Sequence, residues 1–401
     1  MIQVHEALED ILSRIEYKGT EKIPIDQALG RILREDIVAR RPNPPMDNSA
    51  MDGYALISKD IESATMESPI RLEICDEIAA GYTGKKTIQR GQTARIMTGA
   101  PIPPGADAVI MQEDTEKDGA YVLVKDKTDV GENIRSAGED VKEGEVILEK
   151  GCAINPAHIG MMAVAGRSSV YVNQQPTVAI LSTGDEIRDL DESPQGPCIY
   201  NSNGYMLSAQ VRSAGAIPIY LGIAPDDEES LQEKFRDALK CDVVLSSGGV
   251  SVGDYDLVQA SLDRMGREMS FWKVAMKPGK PLAFGFIGDR PIFGLPGNPV
   301  SSFVSFEQFV RPSLRKMIGA GRLTAKTVQA KLTRTVVKKP GRLHFMSSAL
   351  HGENGQLHVT PNLEQGSGIL KSMVHADGLI VFPLMDSEMA EGDTVTVQIL
   401  E

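Results

Sequence analysis

The sequence predicts a multidomain protein that combines an α/β layer with β-rich modules. Three observations carry that reading. Over residues 176–320, apolar strand-like runs alternate with helical ones, the pattern of a parallel sheet with crossover helices. On both sides short β-like runs replace that alternation, punctuated by a generous supply of turn residues, 38 glycines and 23 prolines in the whole chain. The length of 401 residues gives room for about two to four domains, at about 150 residues each.

In chain order, Val4, Ala7, Leu8, Ile11, Leu12 and Ile15 recur at helical spacing, so the chain should open with an amphipathic helix that docks on something. The stretch Arg41-Pro42-Asn43-Pro44-Pro45-Met46-Asp47-Asn48 is too proline-rich for helix or central strand and reads as an extended linker at a domain edge. Short strands are expected at Arg71 to Ile74, Ala94 to Met97, Ala108 to Gln112, Tyr121 to Val124 and Val146 to Leu148. A helix around His158 to Val164 and a strand at Ser169 to Val172 follow. Residues 140–175 resume the style of 1–45, so 46–139 is expected as a mainly-β insertion within a discontinuous outer domain.

The region 176–320 is the most legible. Strands are expected at Thr177 to Leu181, Ile217 to Ile223, Asp242 to Leu245 and Phe271 to Ala275, with helices at Ser202 to Ser213, Glu229 to Leu239 and Asp256 to Met265. Asp226 or Asp227 can cap the second helix. Leu282 to Ile287 and Pro291 to Phe293, split by Gly288-Asp289, predict a hairpin, and one long helix from Val300 to Ile318 closes the unit. Residues 321–401 then carry strands at Val328 to Val337, Leu343 to Ala349, Gln356 to Val359, Gly378 to Pro383 and Thr394 to Leu400 with no long helix, as a small barrel or sandwich would.

Composition removes several functions. The 42 Lys and Arg against 55 Asp and Glu leave a net charge of −13, so no basic field exists to coat nucleic acid. One tryptophan and 5 % aromatics provide no surface for stacking strings of bases. Cys75, Cys152, Cys198 and Cys241 form no C-x-x-C pair, which excludes a zinc ribbon or dithiol centre and reads as a reduced, cytoplasmic setting. No apolar run approaches the ~20 residues of a membrane span, and no basic head with an apolar stretch and cleavage site opens the sequence.

In an open parallel sheet, ligands bind beyond the carboxyl ends of the strands. Three features of the α/β region fall there. The loop Ser246 to Asp254, with Ser247, Gly248, Gly249, Ser251 and Gly253, precedes a helix and can turn backbone N–H groups toward an anion. It is no Walker loop, and such a turn alone is as readily structural. Lys273, Lys277 and Lys280 follow a strand; elsewhere three lysines make a solvated face, but on an acidic chain beside a glycine loop they suit a phosphorylated small ligand. Leu295-Pro296-Gly297-Asn298-Pro299 forms a rigid elbow in which Asn298 can cap the closing helix. Thr183 and Gly184 end the first strand, and Asp185, Glu186, Asp226 and Asp256 sit at strand ends or helix starts, where their oxygens together with phosphates suit Mg²⁺; a plain capping role for Asp226 competes with that. Asp185 and Asp256 are the expected metal neighbourhood. In the inserted segment, Ser49 to Ala55, Met97 to Pro101 and Asn133 to Asp140 are polar turns, and no Ser/His/Asp arrangement is legible.

The segments Asn43–Tyr54, Ile96–Pro104, Asn133–Asp140, Leu181–Glu186, Ser246–Asp256, Lys273–Pro281 and Leu295–Ser301 occur in the order found in the MoeA family, and over nearly its whole length the chain resembles those molybdopterin molybdenumtransferases and the E domain of gephyrin. The resemblance implies an elongated MoeA-like homodimer with a molybdopterin-binding α/β domain and a C-terminal β-barrel domain. It implies insertion of molybdate into adenylated molybdopterin with Mg²⁺ and release of AMP, in a cleft shared with the partner subunit. It further implies functional roles for Asp52, Thr98, Arg135 and Asp140 in the insertion and for Glu186, Asp226, Asp256, Lys273 and Lys277 in the α/β domain, with either Ser367 or Ser372 serving from the last domain. Asp52, Thr98, Glu186, Asp256, Lys273 and Lys277 are the expected catalytic set. Arg135, Asp140, Thr183 to Asp185, Asp226, the glycine loop, Lys280 and Pro296 to Pro299 are expected to bind substrate. Pro225 stands where relatives often carry Arg. Contacts with a molybdopterin adenylyltransferase and other cofactor-biosynthesis proteins are part of the same implication. The competing readings are molybdopterin adenylylation, whose enzymes usually show Thr-Gly-Gly-Thr-Gly where this chain has Ser247-Gly248-Gly249-Val250-Ser251, a tungstate-inserting paralogue, and a gephyrin-like scaffold.

Overall fold

The computed structural model describes residues 1–193, 196–225, 227–249 and 257–400. The opening helix, Val4–Arg14, finds its partner in the α/β layer: Ala7, Ile11 and Ile15 are buried with Val178, Ile180 and Leu314. Truncating Ile11 there would cost about 2–5 kcal/mol in lost transfer energy and cavity. The chain then pairs Thr20–Pro24 with Ser169–Asn173 and Ile37–Val38 with Val146–Leu148, both antiparallel, so the two stretches flanking the insertion share one core around Leu33, Met162 and Val172. The helix Pro156–Val164 starts cleanly because Asn155 Oδ1 accepts from His158 N at 2.9 Å and proline occupies its first turn.

The insertion is a six-stranded mixed sheet. Along Gly53–Leu56, Tyr54 and Leu56 pack on one face with Leu72 and Val122, and Ala55 packs on the other with Ile96 and Val109. Side chains alternate along a strand, so both faces are covered.

The α/β layer is a second six-stranded sheet, in spatial order Ile217–Ala224, Thr177–Thr183, Val243–Ser247, Arg290–Leu295, Pro281–Ile287 and Glu268–Lys273. The expected parallel strands and the expected hairpin are both present. The first four strands are parallel, but Pro281–Ile287 runs antiparallel to both of its neighbours. The hairpin turn at Gly288-Asp289 reverses the chain, with Gly288 at φ 59°, and places Pro281–Ile287 between Arg290–Leu295 and Glu268–Lys273. Val178 and Ile180 face one core, Ala179 and Leu181 the other, so helices cover both sides. The closing helix is not uniform: Pro299–Ser305 and Arg311–Met317 flank a π-helical turn, Phe306–Val310. Pro312 explains it, since a proline lacks the N–H that Gln308 O would accept and its ring crowds that carbonyl in a regular α-turn.

The last domain closes as a five-stranded barrel of Leu343–Glu353, Gln356–Pro361, Thr327–Leu332, Thr394–Ile399 and Gly378–Phe382. The expected single strand across 328–337 is broken, with Val336–Val337 pairing separately with Glu388–Met389. The α/β layer donates a two-residue strand to the barrel: Met276 and Lys277 pair with Leu343 and His344. Ile2 bridges Val274 beside it.

Candidate active site

Where Thr177–Thr183, Val243–Ser247 and Arg290–Leu295 end at their carboxyl edges, the sheet opens into a cleft of about 760 Å³. Its floor is glycine because nothing else fits. A side chain at Gly248, where φ is +92°, would place Cβ 2.4 Å from Thr183 O, and one at Gly249 would meet Val258 Cγ2 at 2.3 Å. Gly184, at φ +140°, lets Glu186 fold back, its Oε2 lying 2.7 Å from where a Cβ would stand.

The polar wall comes from the start of the helix Ser202–Ser213. Asn201 Oδ1 accepts from Gly204 N at 3.0 Å, capping the helix. The amide of Asn203 donates to Ser247 Oγ at 2.7 Å and to Gly297 O at 2.8 Å, tying the glycine loop to the Pro296-to-Pro299 elbow. Asn298 holds the cap position of the next helix but makes no capping bond, contrary to expectation. Its Nδ2 instead reaches Ser367 Oγ at 3.3 Å, while Val300 N donates to Ser367 O at 3.1 Å and Gly368 lines the cleft. The barrel domain therefore leans a loop over the cleft, and that loop separates the two serines. Ser367 stands at the rim; Ser372 is buried, its hydroxyl donating to Ile369 O at 2.8 Å.

Thr183, Gly184, Glu186, Ser247, Gly248, Gly249 and Pro296 to Pro299 all line this one cleft. Asp226, Ser251, Gly253 and Asp256 lie outside the described residues, and Asp227 caps the helix Glu228–Ala238 by accepting from Ser230 N at 2.9 Å. The lysines correct a second expectation. Lys273, opposite Pro281, is at the right edge of the sheet, but Lys273, Lys277 and Lys280 are all exposed and none lines the cleft. Among the described residues the single charged side chain lining it is Glu186. Lys277 belongs to the barrel seam, where its charge, second to burial, keeps the His344 imidazole from protonating. Asp185 is exposed at the rim, and its carbonyl accepts from Arg188 Nη1 at 2.8 Å. Among the described residues no three His, Cys, Asp or Glu side chains converge as a metal cage.

The loops around the inserted sheet and its junction with the outer domain hold the remaining expected residues, at separate places. Asp52 Oδ1 accepts from Thr98 N at 2.7 Å and Thr98 Oγ1 at 2.8 Å. These bonds, the backbone one foremost, hold the Asp52 carboxyl below its ordinary value, and Arg95 adds to them through space. Arg135 and Asp140 line another hollow of about 530 Å³ with Asn43, whose Nδ2 donates to Asp140 Oδ2 at 2.8 Å. This hollow shares no lining residue with the glycine-floored cleft. Ile199, Tyr200, Asn201 and Asn203 are cleft residues that the sequence reading did not single out. The run Tyr200-Asn201-Ser202-Asn203 at the start of a predicted helix was the available signal, because a second amide, two residues past the cap, has no capping duty.

Residues 2–166 match the family model for the MoeA N-terminal region (domain I and II), residues 179–316 that for a probable molybdopterin binding domain, and residues 329–400 that for the MoeA C-terminal region (domain IV). The chain is 35 % identical to the molybdopterin molybdenumtransferase of Bacillus subtilis over 100 % of its own length and 94 % of that relative's. It is also 35 % identical to the one from Haemophilus influenzae, over 99 % and 98 %. A crystal structure of the molybdopterin biosynthesis MoeA protein from Pyrococcus horikoshii OT3 superposes with a TM-score of 0.80 at 33 % identity, covering 100 % of both chains.

Proposed function

The chain belongs to the MoeA family, and from that premise we propose that it is an enzyme that transfers molybdenum to molybdopterin. The observation that carries the reading is the cleft at the carboxyl edge of the parallel strands, floored by Gly248 and Gly249 and overhung by Ser367. Tight glycine turns let a substrate's phosphates approach main-chain N–H groups, which solvate anions without any positive side chain. That matters here, since the described lining offers no cation.

The substrate in this reading is adenylated molybdopterin: the dithiolene sulfurs displace molybdate oxygen, which leaves as water, and water cleaves the phosphoanhydride so that AMP leaves. Lys273 and Lys280, exposed outside the cleft, and Lys277 at the barrel seam add positive potential that draws in the two anions. Magnesium fits the donor chemistry of that rim: Asp185 and Glu186 bring hard carboxylates, and Mg²⁺ typically takes one or two of these and completes its shell with phosphate oxygens and water. When bound, it would neutralise charge developing on the phosphoanhydride. Thr183, Ser247 and the elbow from Pro296 to Pro299 orient the phosphate end, and Glu186 remains the protein's own proton acceptor beside it. A cytoplasmic homodimer completes the site, the hollow of Arg135 and Asp140 and the Asp52–Thr98 pair of one copy closing the cleft of the other. Interaction with the adenylyltransferase that makes the substrate belongs to the same reading.

The test is a metal-insertion assay with adenylated molybdopterin, following AMP release with molybdate and, separately, tungstate. Molybdate-dependent AMP release, lost in Lys277→Ala and Asp52→Ala with the fold retained, is the expected result. Accumulation of adenylated pterin from ATP and molybdopterin would instead identify an adenylyltransferase.

A further inference from the structure

We propose that Tyr200 is the platform on which a flat heteroaromatic ring of the substrate rests. The inference deepens the reading above, which supplies the two candidate rings, pterin and adenine. The cleft lining combines glycine, hydroxyl and amide groups with apolar ones, among them Ile187, Ile199 and Tyr200. These come from a short parallel ladder, Ile187–Arg188 beside Ile199–Tyr200, that projects from the end of the first strand. Ile199 is 61 % exposed and Tyr200 48 %, and apolar surface left open in a concave site is the usual mark of a ligand contact.

Neighbouring tyrosines show what a structural role looks like here. Tyr205 donates to Asp189 Oδ1 at 2.7 Å, Tyr220 accepts from Asn201 Nδ2 at 2.7 Å, and their rings pack 5.5 Å apart. Among the described residues Tyr200 has neither a ring partner nor a bond to its hydroxyl, and it is the one aromatic side chain lining the cleft. An aromatic face accepts any planar heterocycle, and the amides and hydroxyls of the same lining can bond to the ring's edges.

The experiment compares wild type, Tyr200→Phe and Tyr200→Ala, each checked for native far-UV circular dichroism. Two probes are titrated: pterin, by its own fluorescence, and AMP, by calorimetry. Tyr200→Phe should bind both as wild type does. Tyr200→Ala should lose about tenfold or more in affinity for one probe, and the probe that responds identifies which ring stacks. Unchanged affinity of Tyr200→Ala for both, or no binding of either by wild type, overturns the proposal. A shift of Tyr200→Ala from dimer to monomer in sedimentation, with probe affinity retained, overturns it in favour of an intersubunit contact. The enzymatic reading fails on different evidence, absence of molybdate-dependent AMP release by wild type, so the two failures are distinguishable.

Discussion

Acidification should loosen the joint between the barrel and the α/β layer through His344. This imidazole is buried on the strand Leu343–Glu353, paired across the seam with Lys277 and across the barrel with Phe382. Burial first, then the positive charges of Lys277, Lys338 and Arg342, push its pKa down to about 4 from an ordinary 6.5. A histidine whose folded pKa is depressed binds fewer protons folded than unfolded, so stability is full above pH 6.5 and falls as pH drops toward 4. The difference of about 2.5 units, at about 1.36 kcal/mol each, makes the whole effect about 3 kcal/mol, of which about 2 kcal/mol is already gone at pH 5. The assay is urea unfolding of wild type and His344→Gln between pH 7.5 and 5, with NMR titration of the ring. At neutral pH the variant should be the less stable, because it loses packing. By pH 5 the gap should close by about 2 kcal/mol, since all other titrating groups cancel in the comparison. Parallel stability curves, or a ring that titrates near 6.5, would refute the reasoning.

Other perturbations have equally definite outcomes. Gly248→Ala drives a Cβ to 2.4 Å from Thr183 O at a φ of +92°; a loss of about 1–3 kcal/mol and of AMP affinity is expected, and an unchanged melting temperature would show that the loop has slack. Arg311 pairs with Glu307 through Nε at 2.6 Å and Nη2 at 2.9 Å, both side chains buried. Arg311→Met should therefore cost about 3–5 kcal/mol by stranding a carboxylate, and adding Glu307→Gln should recover part of it in chemical denaturation. Thr98→Val removes the hydroxyl donor to Asp52. The Asp52 carboxyl should then titrate at higher pH, and carboxyl-carbon NMR of the two proteins would show no difference if that bond were idle.

Much of the fold was legible because it is written in periodicity. The run from Thr177 to Leu245, strand then helix twice over, has the apolar alternation and caps that specify its elements locally. What escaped was set by distant partners. The break in the strand expected across 328–337 depends on Val336–Val337 pairing with Glu388–Met389, and the π-turn on a clash between Pro312 and a carbonyl four residues earlier. The glycine loop, the elbow and Glu186 could be placed at one edge because strand ends converge there in any such sheet. The lysines illustrate the limit: chain position put them at that edge, but the direction of a flexible charged side chain is decided by solvent and by the barrel docked alongside. Ser367 and Ser372 could not be separated for a similar reason, since only the way the barrel leans on Asn298 distinguishes them.

The seam where Ile2, Val274 and Leu343 meet also bears on how the chain is made. Ala275 N donates to Ile2 O and Leu343 N to Ala275 O, so a single ribbon of backbone joins residues separated by hundreds of positions. On a ribosome the first of these emerges long before the last. The N-terminal helix must wait, its apolar stripe unmatched, until the α/β layer has been synthesised, and the ribbon is finished only after the barrel strand appears. Contacts this remote in sequence form slowly, so the joint between the N-terminus, the α/β layer and the barrel closes late in folding.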